Sequence, residues 1–436
     1  MKVMKFGGTS VGTPQRMKNV AQLVDDGERN FVVLSAMSGT TNSLLEISDY
    51  LQKGNIEAAL QTINALESKY RRHVQELYRP GTPQEKAAAY VKEVFAYLRT
   101  FAKGALSPRA EQLIVAQGEL LSSHMMTFYL QEQGKRVCLL PALDFMRTDK
   151  DGEPDQAYIR QHLSELLDAK AGFDLYITQG FICRNAGGEI DNLQRGGSDY
   201  TASLVGAALM ASEIQIWTDI DGMHNNDPRY VENTQPVAQL HFEEAAELGY
   251  FGAKILHPTC VQPAKFAGIP VKLLNTMEPS APGTVINNDM QRGSIKAVAA
   301  KDGITAINIS SSRMLLAYGF LRKVFEVFET YKTSIDMICT SEVGVSVTID
   351  NDSQLVHIVE ELKQLGSVRV GKDLCIICVV GDLYWENVGF ESAATAAMKD
   401  IPVRMISYGG SDHNISFLVK KEDKVRALKA LSQQLF

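Results

Sequence analysis

The stretch Lys2–Gly12, KVMKFGGTSVG, decides how the N-terminal half is read: a short, largely apolar run, Lys2–Phe6, that stops at glycine. A second run of the same kind, NFVVLSAMSG from Asn30, also ends in small residues. Short apolar runs bounded in this way predict strands buried on both faces, as in a parallel sheet. From about Ile47 to Gly134 the period changes, and segments such as EAALQTINALESKYRRHVQELY place apolar residues three and four apart, which predicts helices. Strand-like runs return in RVCLLPA, DLYITQGFI, EIQIWTDI and IPVKLL, separated by helical stretches such as DYTASLVGAALMA. Strands alternating with helices predict an α/β domain whose ligands bind at the carboxyl ends of the strands. Its end is expected near Asn288.

Beyond Ser294 the order becomes strand, helix, strand, strand, helix, and it occurs twice. Gly319-Phe320 recurs as Gly389-Phe390, Met337-Ile338 as Met405-Ile406, and Val345-Ser346-Val347 as Ile415-Ser416-Phe417, at a spacing of 68 to 70 residues. A unit of about 70 residues in this order is ferredoxin-like, βαββαβ. The expected boundaries are 1–290, 300–371 and 372–436.

Composition agrees with a folded multidomain chain. The 436 residues are 45% apolar and 22% charged, with a net charge of −7. That balance provides no basic field for a nucleic-acid backbone. No run approaches the roughly 18 apolar residues of a membrane span, and no signal-like segment opens the chain, so a cytoplasmic protein is expected. The six cysteines sit mostly in apolar contexts and are read as reduced core residues. Cys375 and Cys378 have CxxC spacing, but on a strand they point to opposite faces and could not grip one metal together. No metal site is expected.

Four constellations carry candidate chemistry. In KFGGTSVG, Gly7 and Gly8 let backbone N–H groups face an anion, and Lys5 adds a compact charge; a plain strand-to-helix turn is the alternative. Walker, dinucleotide-binding and protein-kinase sequences are missing. LQRGGSDYTA sets Arg195 beside two glycines, a planar fork for a carboxylate, with Ser198 and Asp199 at a helix start where either could simply be a cap. IWTDIDGMHNNDPR gathers Thr218, Asp219, Asp221, Asp227 and Arg229, whose carboxylates suit Mg²⁺ or merely aspartate-rich turns. FGAKILHP contributes Lys254, and AQGELLSSH places Glu119 at a helix start, where its charge complements the dipole.

In this order KFGGTSV, VVLSAMSGTTN, QGELLS, QGFI, RGGSDYTA, WTDIDG, DPR and FGAKILHP closely resemble the aspartokinases of the amino acid kinase family. SIDMICTSEVGVSVTID and MISYGGSDHNISFLV look like the tandem ACT domains of the monofunctional, lysine-sensitive type. The resemblance implies ATP-dependent phosphorylation of L-aspartate. Lys5, Phe6, Gly7, Gly8, Ser10, Thr218, Asp219, Arg229 and Lys254 would hold ATP with its Mg²⁺, while Thr41, Glu119, Arg195 and Asp199 would hold the substrate. Lys5, Asp199 and Lys254 would carry the catalysis. It implies an effector site, for lysine, at Met314, Phe320, Leu321, Ser334, Ile335, Asp336, Ser341 and Glu342, and a homodimer through the ACT units. Ala317 and Tyr318 depart from the lysine-sensitive pattern, where serine and arginine can stand, and His224 replaces a tyrosine expected against adenosine. The alternatives are a kinase for another acid, such as glutamate, N-acetylglutamate, carbamate or UMP, and a catalytically silent nucleotide and amino-acid sensor.

Overall fold

The computed structural model describes residues 1–104, 106–193, 196–252, 257–311 and 318–436. Two compact units are present, one of Met1–Met223 with Leu256–Asn288 and the other of His224–Ile255 with Asp289–Phe436. By its contacts the segment 224–255 groups with the C-terminal half.

In the first unit a sheet runs Val137–Leu139, Leu175–Gln179, Asn30–Leu34, Lys2–Phe6, Ile214–Thr218, Val271–Asn275, Thr284–Asn287. The last pairing is antiparallel; the others are parallel. Strand periodicity sends Met4 and Phe6 to one face, where they join Val32, Leu34 and Ile177 in a core completed by Leu121 and Met125 of the helix Gln117–Glu132. Val3 and Lys5 face the other way. There Gly206 of the helix Gly197–Leu209 approaches so closely that an added Cβ would lie 2.4 Å from Ile214. Helices therefore cover both faces, as the uninterrupted apolar strands required. The run DLYITQGFI does not form one strand. It breaks at Gly180-Phe181 into Leu175–Gln179 and the short Ile182–Arg184, with Phe181 in the left-handed region at φ 67°.

The second unit holds a six-stranded antiparallel sheet in the order Ile338–Ser341, Gly344–Ile349, Ile295–Ser310, Ser367–Gly381, Asn414–Lys420, Met405–Tyr408. The repeated Gly-Phe pairs start equivalent helices, Phe320–Thr330 and Phe390–Ala397, each with its glycine at positive φ. Two long central strands serve both copies. Thr305–Ser310 pairs with Gly344–Ile349 in the first, while Ile295–Lys301 pairs with Ile376–Gly381 in the second. The second copy is therefore not closed within 372–436: its fourth strand precedes the first copy in sequence, so the first is inserted into the second. All six cysteines are free thiols, four buried and Cys138 and Cys339 partly so. Among the described residues no helix is long and apolar enough to cross a membrane.

Candidate functional site

Parallel strands end together, so the segments following Phe6, Leu34, Gln179 and Thr218 gather at one edge of the first unit's sheet. Backbone bonds link them: Ser35 N–H donates to the Phe6 carbonyl (3.2 Å), Gly7 N–H to Trp217 (3.2 Å) and Gly180 N–H to Leu34 (2.9 Å). Because Lys5 faces the side covered by the helix Gly197–Leu209, its ammonium meets Asp199 in that helix's first turn, 2.7 Å away. Lys5 is only 9% exposed. The two candidate catalytic residues are thus brought together as a largely buried ion pair.

In the glycine loop one of the two expected amides is already bonded within the chain. Gly7 N–H is committed to Trp217, continuing the sheet ladder, and the Ser10 hydroxyl is buried against Thr276 Oγ1 at 2.7 Å. Gly8 is the glycine that space demands, since a Cβ there would lie 2.7 Å from the Ala36 carbonyl. That tight contact seats the loop against the Ser35–Thr41 segment, with Ser38 N–H donating to the Gly8 carbonyl (3.0 Å).

Glu119 lies in the first turn of its helix, as expected, but it is also buried, at 3% exposure. Oε1 accepts from Ala36 N–H (3.2 Å), whereas Oε2 is enclosed without a hydrogen-bond partner. Burial pushes its pKa up to about 8, against the weaker lowering by the Ala36 bond. A buried carboxyl with one vacant acceptor is poised for an incoming cation. Around it, Ser122 and Ser123 bond back to the Ser35 and Glu119 carbonyls, and Gln179 bridges Ala142 N–H and Ser123 Oγ. Thr41 is half-buried in the first turn of the helix Thr40–Gln52.

Three residues here were not singled out. Ser35 donates to Ser198 (2.8 Å), and strained Phe181 donates its N–H to Thr201 Oγ1 (2.9 Å). Cys260 packs under Gly196 so closely that a Cβ at Gly196 would come within 1.7 Å of its sulfur. Glycine in GG and phenylalanine after QG carried a faint signal of special backbone; Cys260, remote in sequence, carried none.

Thr218 ends its strand and donates to the exposed Asp219 (3.2 Å). Arg229 and His224 lie in the other unit. There Arg229 grips Asp227 through Nε and a terminal nitrogen, at 2.9 and 2.6 Å, and His224 shares a hydrogen bond with Thr234 (2.8 Å). Arg195, Lys254, Met314 and Ala317 lie outside the described residues. Among the described residues no group of three or more His, Cys, Asp or Glu side chains could hold a metal ion.

Among the effector candidates, Phe320 is in the core of the first repeat, while Leu321, Ser334, Ser341 and Glu342 are exposed. Ile335 is half-buried. Asp336 is distinct: its buried carboxylate accepts from Tyr250 Oη (2.6 Å) and ion-pairs with Lys301 (2.8 Å). Lys301 also reaches Asp350 and sits 3.9 Å from the Tyr250 ring centre. Asp336 Oδ2 is enclosed without a partner, and burial raises the carboxyl above its ordinary range despite the Lys301 and Tyr250 contacts. Tyr318 is fully exposed.

A model of the amino acid kinase family matches residues 1–275, and a model of the ACT domain matches residues 377–435. Lysine-sensitive aspartokinase 3 of Escherichia coli strain K12 is 34% identical over 447 residues, covering 100% of this chain and 99% of its own. Aspartokinase 1, chloroplastic, of Arabidopsis thaliana is 35% identical, with 100% and 80% covered. The crystal structure of E. coli aspartokinase III with aspartate and ADP, in the R-state, superposes with a TM-score of 0.86 at 33% identity over 100% of both chains. The same enzyme with lysine and aspartate, in the T-state, gives 0.81 at 34% identity, covering 100% of this chain and 99% of that one.

Proposed function

We propose, from the premise that this chain belongs to the amino acid kinase family and within it to the aspartokinases, that it transfers the γ-phosphoryl group of ATP to the side-chain carboxylate of L-aspartate, giving ADP and 4-phospho-L-aspartate. The enzyme is a phosphotransferase. Such transfers ask little covalent work of the protein, which must align the attacking oxygen with the phosphorus and neutralise charge on the moving group. Lys5 is the buried cation for that charge. Asp199 fixes where the ammonium points, and water, largely excluded from the pair, does not dilute its field.

The observation that narrows the substrate to a free α-amino acid is the vacant Oε2 of Glu119, and the kinship with aspartokinases favours aspartate among such acids. An α-ammonium fills it with a charge-assisted hydrogen bond and holds the glutamate ionised. An N-acylated acid or carbamate brings no such cation and would leave the buried carboxyl unsatisfied, at a cost of about 1–3 kcal/mol. Thr41, with Arg195 and Lys254, completes the proposed substrate and phosphate contacts, and Thr218, Asp219 and Arg229 are proposed for the nucleotide side by the family resemblance. Mg²⁺ would be held chiefly by the ATP phosphates, since it keeps several waters and takes only one or two carboxylates.

Feedback by an amino acid, lysine being favoured, would act at the ACT unit, where Asp336 Oδ2 is an acceptor for an effector ammonium. A homodimer would form through the ACT units, as the family resemblance implies. The reading is tested by coupled ADP release with ATP and aspartate, glutamate or N-acetylglutamate, each with and without millimolar lysine. Aspartate-dependent ADP suppressed by lysine is expected. ADP release with glutamate or N-acetylglutamate instead would assign another acid, and lysine-independent turnover of aspartate would remove the effector.

A further inference from the structure

The Ser35–Thr41 segment touches each part of the proposed site. Ser35 bonds Ser198, Ala36 N–H donates to Glu119, and Ser38 N–H donates to Gly8. Yet between the strand end at Leu34 and the helix start at Thr40 no regular ladder or helical bonding fixes the chain, and Gly39 turns it through the left-handed region at φ 78°. Its position must be imposed from outside. At its C-terminal end, beyond the bonds just given, that support comes from two consecutive side chains of the helix Ile56–Leu77.

Tyr70, fully buried and packed on the Phe95 ring, shares a hydrogen bond with Thr40 Oγ1 at 2.9 Å. Lys69 donates from Nζ to the Ser38 carbonyl at 2.8 Å, and its Nζ lies 3.9 Å from where a Cβ on Gly39 would stand. Successive helix positions project about 100° apart, so the two grip the segment from different directions. No described carboxylate lies within ion-pairing distance of Lys69, and burial alone holds its pKa below the ordinary value. An ammonium that is partly desolvated without a counter-charge, and spends its bond on one carbonyl, is placed for that carbonyl and not for a surface salt bridge.

We propose that Lys69 is a positioning residue for the amino-acid subsite: by pinning the Ser38 peptide it keeps Ala36 N–H on Glu119 and Thr41 at the substrate. The kinetic part rests on the aspartate reading; the mechanical part does not. The test uses the full chain with Lys69→Met, which keeps length and removes the donor, and Lys69→Arg, which keeps a cationic donor. Hydrogen–deuterium exchange over residues 36–42 and steady-state kinetics are measured for each, with melting curves to confirm folding. Lys69→Met should exchange about tenfold faster over that segment. It should raise KM for aspartate about fivefold or more and leave KM for ATP within about twofold, with Lys69→Arg restoring both. Wild-type exchange over 36–42 in the Met variant, or equal rises in both KM values, overturns the proposal. Since exchange requires no turnover, a wild-type chain that failed to use aspartate would sink the functional reading and still leave the clamp tested.

Discussion

Replacing Glu119 with glutamine should stabilise the ligand-free protein at pH 8 while leaving it unchanged near pH 4.5. In the folded chain the carboxyl ionises at about 8, against an ordinary 4.5. Below 4.5 both folded and unfolded chains carry the proton, and the two forms are balanced. As pH rises from 4.5 toward 8 the unfolded chain releases its proton while the folded chain retains it, so stability is lost across that window and levels off above it. At about 1.4 kcal/mol per pH unit the gap sets a ceiling of about 5 kcal/mol. Local relaxation and water entry would leave on the order of 2 to 3 kcal/mol. Glutamine is nearly isosteric with the neutral acid and cannot ionise, so its variant should escape this loss. The assay is urea unfolding at pH 5, 6.5 and 8, following the transition of the unit that carries residue 119. A stability difference independent of pH, or a variant weaker than wild type at pH 8, would refute the argument. The same variant should lose most of its affinity for aspartate.

If an ammonium fills the vacant oxygen, aspartate binding at pH 7 should release about 0.9 proton, falling to about 0.2 by pH 8.5; calorimetry in buffers of differing ionisation enthalpy measures it, and proton uptake between pH 7 and 8.5 would contradict it. Lys5→Met should lower turnover at least ~100-fold and cost about 1–3 kcal/mol, because Asp199 is left buried without its partner. Adding Asp199→Asn should recover the stability but not the activity; a melting temperature of Lys5→Met equal to wild type would show the pair to be energetically idle. Tyr250→Phe removes a competing donor from Asp336 and should lower the half-inhibitory lysine concentration at least ~3-fold, with the uninhibited rate unchanged. An unmoved inhibition curve would place the effector elsewhere.

The strands and the internal repeat were legible because each depends on local pattern: short continuous apolar runs ending in small residues, and Gly-Phe pairs recurring at a fixed spacing. The site's outline was legible for a related reason, since functional segments follow strand ends. What escaped the sequence depends on approach in three dimensions. Glu119 was readable as a helix-start acid, but its burial arises from the Ser35–Thr41 segment closing over it. Lys5 was readable as a charge at a strand end; that strand parity turns it beneath the helix that bears Asp199 was not. The second repeat's missing strand could not be found by reading forward, since Ile295–Lys301 lies before the first repeat. Asp336 was named through the family resemblance, yet its partners Lys301 and Tyr250 lie 35 and 86 residues away. Nothing local announces such contacts.

Trapping the product tests the central claim most directly. The wild-type chain, incubated with ATP, Mg²⁺, hydroxylamine and an equimolar mixture of aspartate, glutamate and N-acetylglutamate, should yield aspartyl β-hydroxamate alone by mass spectrometry, matched mole for mole by ADP. A hydroxamate of another acid, or ADP formed with no hydroxamate, would contradict it.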